Sequence, residues 1–110
     1  SGGEIKRSEL LQLLAQMPDL VLLDEPESGV DLVNIALIGQ MINELLQKDM
    51  KRSRTRAGLI ITHTGHILDY VNASKGYVLL NGVVTCERDA HECLDSIKKN
   101  GYEGCVRCLK

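Results

Sequence analysis

Two short apolar runs, Leu20-Val-Leu-Leu23 and Leu59-Ile-Ile-Thr62, constrain the fold of this chain more than any other feature. Each is too short for a helix, and each has the near-continuous apolar pattern of a strand buried on both faces. Between them Ile35, Ile38, Met41, Ile42, Leu45 and Leu46 recur at helical spacing over Leu32 to Lys48, with Asp31 placed to cap the start. Strand, helix, strand in that order predicts an α/β layer with parallel core strands, flanking helices and a right-handed crossover.

The rest of the chain extends this frame. Leu10, Leu11, Leu13, Leu14 and Met17 form a helical stripe over Glu4 to Met17 that stops at Pro18. A polar, basic loop over Lys48 to Gly58 leads into the second strand, and His66 to Tyr70 reads as a short helix. Tyr77 to Leu80 and Val83 to Cys86 are β-prone runs separated by Asn81-Gly82, which predicts a hairpin. A last helix over Asp89 to Asn100 ends at Gly101. With no repeat, low-complexity tract or linker, the chain reads as one continuous unit.

Composition excludes several classes. A chain of 110 residues that is 44% hydrophobic is globular rather than disordered. Its net charge of -2 and its three tyrosines, with no Phe or Trp, argue against a nucleic-acid binder. The basic run Lys48, Lys51, Arg52, Arg54 and Arg56 then reads as a solvated loop. No apolar run is long enough to span a bilayer and no signal peptide is visible, so a cytoplasmic protein without membrane insertion is expected. Cys105 and Cys108 form a C-x-x-C, half of a structural zinc site, which Cys86 and Cys93 would have to complete. Ordinary reduced thiols are the simpler reading.

The first strand ends in two adjacent carboxylates, Asp24 and Glu25. Magnesium held on nucleotide phosphates takes hard oxygen ligands, and Asp24 at a strand tip suits it. Successive strand residues face opposite ways, so Glu25 is free to orient or deprotonate an attacking water. Taken alone, the pair equally well ends a strand and caps a loop. Ser1-Gly-Gly-Glu4 opens a helix, where free N–H groups and small side chains admit an anion; alone it is a poor motif and reads more readily as an ordinary flexible terminus. His63 closes the second strand and would reach the same sheet edge as Asp24, where ligands of open α/β sheets gather; a structural histidine is the competing reading.

In order and at these spacings, the segments resemble the C-terminal half of an ABC-type ATPase domain, a partial P-loop NTPase fold. Ser1-Gly-Gly-Glu4 looks like the signature motif, Leu20 to Glu25 like Walker B with its glutamate, Ser28-Gly29-Val-Asp31 like the D-loop and His63 like the switch histidine. Ser1 to Arg7, Glu27 to Asp31, Ile67 to Tyr70 and Gly101-Tyr-Glu103 sharpen the resemblance toward the SufC-type ATPases of iron-sulfur cluster assembly. The resemblance implies ATP and Mg2+ as cofactors and a second ATPase subunit as an ATP-dependent dimer partner. Ser1, Gly2, Gly3 and Glu4 would contact the nucleotide held by that partner, and Ser28, Gly29 and Asp31 would lie at the dimer seam. Asp24 would serve magnesium, Glu25 the water and His63 the γ-phosphate. A SufB/SufD-like scaffold is the further partner implied. Competing readings are a transporter ATPase, a chromosome or repair ABC ATPase, and a non-enzymatic cysteine-based metal or interaction module.

One element of that family is missing, because no G-x-x-x-x-G-K-[ST] phosphate loop occurs in the 110 residues. The expectation is that residues 1–110 form the C-terminal part of an ABC ATPase domain whose Walker A half lies in a longer parent chain or a partner. Alone, the chain is expected to be inactive and to carry an uncovered strand edge prone to self-association.

Overall fold

The computed structural model describes the backbone of residues 2–46 and 56–107 and the side chains of residues 4–46 and 56–101. The chain forms two compact units, Ser1–Val71 and Asn72–Lys110, where the sequence leads one to expect one continuous unit.

In the first unit, α1 (Gly2–Gln16) leads to β1 (Leu20–Asp24), α2 (Leu32–Leu46) and β2 (Ala57–Ile61). Helix α1 begins two residues earlier than the apolar stripe suggests. It ends where Met17 turns to φ 51°, its N–H closing the last turn on the Leu13 carbonyl at 3.1 Å. Strands β1 and β2 pair in parallel, Leu20 opposite Ala57 through Asp24 opposite Ile61, as the strand-helix-strand order requires. A short 3-10 helix, His66–Asp69, enters from Gly65 in the left-handed region.

The core of this unit comprises Leu10, Val21, Ile35, Ile38, Ile42, Leu45, Ile67 and Val71. Ile38, Ile42 and Leu45 are fully enclosed, each burial contributing about 1.5–3 kcal/mol. Gly39 lets α2 approach the end of the 3-10 helix closely, because a Cβ there would stand 2.3 Å from the Tyr70 Cβ. The Asn43 amide donates to the Tyr70 carbonyl at 2.9 Å on the same seam. Arg56 donates to the Leu45 carbonyl at 3.1 Å, satisfying an acceptor in the last turn of α2. The basic residues Lys48, Lys51, Arg52 and Arg54 lie outside the described residues.

Two expectations for this unit require correction. Among the described residues the strands are covered on one face only: Val21 is 3% exposed, whereas Leu20, Leu22, Leu59 and Ile61 are 61, 69, 52 and 56% exposed. Register puts these four on one side of the sheet with Asp24, opposite the face that packs on the helices. An apolar run records that both faces avoid water, but not which segment covers each face. In α1 the stripe is narrower than expected. Leu10 is buried and Leu13 and Leu14 pack against the core, while Leu11 and Met17 are 60 and 49% exposed.

In the second unit, β3 (Lys75–Leu80) and β4 (Val83–Asp89) form the expected antiparallel hairpin. Asn81 and Gly82 both take positive φ, 52° and 77°, as a two-residue turn matched to strand twist demands. A bulge at Val78/Leu79 shifts the register, and the Thr85 hydroxyl donates to the Val78 carbonyl at 3.1 Å. Helix α3 (Ala90–Arg107) starts on an Asp89 cap and breaks at Gly101, φ 73° and ψ 178°, before turning helical again. The expected stop at Gly101 is therefore a kink between two helical segments. Val78, Cys86 and Cys93 make the core of this unit, with Ile97 against them. The two thiols stand 3.7 Å apart, and Cys93 donates to the Gly76 carbonyl at 3.4 Å.

Candidate functional site

The end of β1 and the end of β2 meet at the C-terminal edge of the sheet. Asp24 is the last β1 residue and is exposed on the uncovered face. The Glu25 N–H still pairs with the Ile61 carbonyl at 2.7 Å, extending the parallel ladder by one bond. Glu25 itself takes φ 47°, a conformation non-glycine residues rarely adopt, and this turns the chain out of the strand.

Glu25 meets His63. Its Oε1 lies 2.6 Å from His63 Nδ1, across a separation of 38 residues. An ionised carboxylate has no proton to give, so Nδ1 carries the proton and Nε2 faces away from the pair. The glutamate side chain is 34% and the imidazole 68% exposed, so both groups remain accessible to a ligand. Lys6 of α1 donates to the Glu25 carbonyl at 3.3 Å, which ties the N-terminal helix to the same corner. A shallow cleft beside it is lined by Lys6, Leu10, Leu13, Leu22, Asp24 and Pro26, among others.

Residues 25–30 turn twice. The Ser28 N–H donates to the Glu25 carbonyl at 3.0 Å, and the Val30 N–H to the Glu27 carbonyl at 3.2 Å with Gly29 at φ 73°. Ser28 and Gly29 are exposed. Asp31 caps α2 as expected: Oδ1 accepts the Asn34 N–H at 2.8 Å and Oδ2 the Asn34 side-chain amide at 3.0 Å. The first of these bonds is the main reason its carboxyl titrates below the ordinary carboxylate value.

Four expected participants are only partly visible. Gly2, Gly3 and Glu4 open α1, with the Glu4 carboxylate in the first turn where the helix dipole favours it. Ser1 lies outside the described residues. So do Cys108 and the side chain of Cys105, which leaves the C-x-x-C without a structural account. His66 is exposed. Among the described residues no group of three or more His, Cys, Asp or Glu could hold a metal by itself. A single strand-end carboxylate such as Asp24 fits only a cation that takes its other ligands from water and phosphate, as magnesium does.

Glu27 enters the sequence only as the start of the Glu27 to Asp31 segment, which does not reveal its role. It is the buried charged residue of the described chain at 8% exposure, and it accepts hydrogen bonds from the Thr62 and Thr64 hydroxyls on either side of His63. Only its place between two functional segments hints at this, since its partners lie 35 and 37 residues away.

Comparison with known proteins agrees with the arrangement of the segments. No family model matches the chain. It is 37% identical over 103 residues to a "Probable ATP-dependent transporter" of Cyanidium caldarium, covering 94% of this chain and 38% of that protein. It is 35% identical over 109 residues to a "Probable ABC transporter ATP-binding protein" of Streptococcus pyogenes, covering 99% of this chain and 40% of the relative. It is 34% identical over 102 residues to the "Probable ATP-dependent transporter SufC" of Escherichia coli, covering 93% and 38%. The chain thus spans about two fifths of the length of these curated relatives. No helix among the described residues is long and apolar enough to cross a membrane.

Proposed function

We propose that this chain is the C-terminal portion of an ABC-type ATPase domain and that the Glu25–His63 pair is its hydrolytic centre. The pair itself carries the proposal. A carboxylate held at 2.6 Å by a histidine, at the C-terminal edge of a parallel sheet, has a fixed direction and an exposed face. It is the arrangement of a base that orients a water for in-line attack on a phosphate. His63 holds the glutamate through Nδ1 and offers Nε2 to the γ-phosphate. Asp24 supplies one oxygen to Mg2+, whose role is to neutralise charge on the phosphates.

Ser1, Gly2, Gly3 and Glu4, at the start of α1, would approach a nucleotide bound by a second ATPase subunit, and Ser28, Gly29 and Asp31 would line the seam between the two. The names of the relatives support an ATP-binding role at this coarse level. The finer reading is an ATPase of the SufC type, whose ATP-driven dimerisation remodels a SufB/SufD-like scaffold on which iron-sulfur clusters are assembled. The Glu27 to Asp31 turn, Ile67 to Tyr70 and Gly101 to Glu103 motifs support it. A transporter ATPase is the second reading, favoured by the streptococcal relative's name.

The test is to read the coding sequence upstream of Ser1 for a phosphate loop and to express the chain with it. Glu25→Gln should leave MgATP binding intact and slow hydrolysis by roughly 10²-fold or more. Unchanged turnover would remove Glu25 from its role. Without a phosphate loop, residues 1–110 should show no turnover; turnover abolished by Glu25→Gln in this chain alone would contradict that.

A further inference from the structure

Glu27 is an expensive way to hold a loop. Burying a carboxylate is strongly unfavourable unless its oxygens are satisfied, and here Oε2 is buried with no hydrogen-bond partner among the described residues. Oε1 is engaged twice, by the Thr62 hydroxyl and, at 3.2 Å, by the Thr64 hydroxyl. Each threonine is in turn fastened to the backbone. The Gly65 N–H donates to the Thr62 hydroxyl at 3.0 Å and the His66 N–H to the Thr64 hydroxyl at 3.3 Å. The residue between the two threonines is His63, and the residue two before Glu27 is Glu25. Two carboxylates of one turn thus grip one tripeptide, Glu27 from beneath through hydroxyls and Glu25 at the surface through the imidazole.

We propose that Glu27 is a positioning residue: its buried carboxylate clamps Thr62 and Thr64 so that His63 Nδ1 stays on Glu25 and fixes the direction of that carboxylate. This rests on the reading of Glu25 and His63 as the hydrolytic pair, and deepens it. The reach of the His63 ring to Glu25 follows from where the backbone of residues 62–64 is set, and the two threonines on either side of it are the residues Glu27 holds. A purely structural carboxylate would steady the loop without selecting the state of the imidazole. A positioning carboxylate selects it, because only a ring kept on Glu25 is forced into the tautomer protonated on Nδ1.

The tautomer is measurable on this chain without any catalysis. In ring nitrogen–proton correlation spectra of the ¹⁵N-labelled protein at about pH 9, above the ordinary imidazole range, His63 should show the Nδ1–H form. The exposed rings of His66 and His91 serve as internal references for imidazoles without such a partner. Glu27→Ala should move the His63 signature to that of the references, as should Glu25→Gln. Glu27→Gln, whose amide oxygen still accepts from the threonines, should restore it. Thr64→Val, a milder change at an exposed position, should produce part of the same shift and keeps the test open if Glu27→Ala does not fold. An unchanged His63 signature in Glu27→Ala or in Thr62→Val/Thr64→Val would overturn the proposal. That failure would leave the hydrolysis test of Glu25 untouched. Conversely, a tautomer that follows Glu27 alongside unaltered turnover in Glu25→Gln would sink the hydrolytic reading alone.

Discussion

Asp31 shows how one side chain links sequence, local structure and solution behaviour. Both of its oxygens bind Asn34, one through the backbone N–H of the first turn, and this bonding lowers its pKa from 3.8. A carboxyl whose folded pKa is depressed contributes stability above its unfolded value and loses it as pH falls through the folded one. The loss from Asp31 therefore falls below pH 3.8. Asparagine caps a helix about as well but does not titrate. Urea unfolding of the chain and of Asp31→Asn at stepped pH should give a stability difference that is steady near neutrality and shrinks below that value. A difference constant down to strongly acid conditions would show that the cap bond does not favour the charged form. Glu25 shows a second residue-level effect, since its φ of 47° is an unfavourable conformation, and the surrounding bonds to Ile61, Ser28, Lys6 and His63 help to maintain it.

Elements meet where side chains are absent or small, and two contrasts test this. Alanine is worth about 1 kcal/mol more than glycine inside a helix, so Gly39→Ala in α2 would stabilise if space allowed. Its Cβ would stand 2.3 Å from the Tyr70 Cβ and 3.0 Å from the Tyr70 carbonyl oxygen, atoms that cannot swing aside. The clash wins, and a loss of about 1–3 kcal/mol in chemical denaturation is expected. Gly58→Ala meets the branched end of the Leu46 side chain, Cδ1, Cδ2 and Cγ, rather than backbone, and should lose less. If Gly39→Ala matched the parent, the close approach of α2 to Tyr70 would be wrong. In the second unit, Cys86 and Cys93 are 1 and 5% exposed, and buried thiols are unreactive. Both should resist iodoacetamide in the native state and react in denaturant, as peptide mass mapping would record. The hairpin and the Asp31 cap were legible because each is specified within four residues of chain. Glu27's grip on Thr62 and Thr64 was not, because no local pattern encodes a contact across 35 residues. The Glu25–His63 pairing was anticipated only as a shared sheet edge; its bond depends on a backbone turn at Glu25 that no glycine announces.

At the scale of the whole chain, the largest unexplained cost is apolar surface. Leu20, Leu22, Leu59 and Ile61 lie on one face of the β1–β2 pair, each more than half exposed, beside Asp24 at its tip. The parallel ladder has two strands among the described residues, so each also presents an unpaired edge. The sequence foretold strands but not a bare face, because an apolar run is the same whether its cover is present or not. Contiguous apolar surface of this kind and open edges draw partners. Residues 1–110 in solution should therefore associate with themselves as concentration rises, measured by sedimentation velocity over a hundredfold range. Leu22→Lys with Leu59→Glu replaces two facing leucines with an ion pair across the register, leaving Val21 and the helical core untouched. That variant should shift toward monomer while its far-ultraviolet dichroism stays that of the parent. A parent chain that is monomeric throughout, or a variant that associates equally, would mean that this face does not govern the assembly.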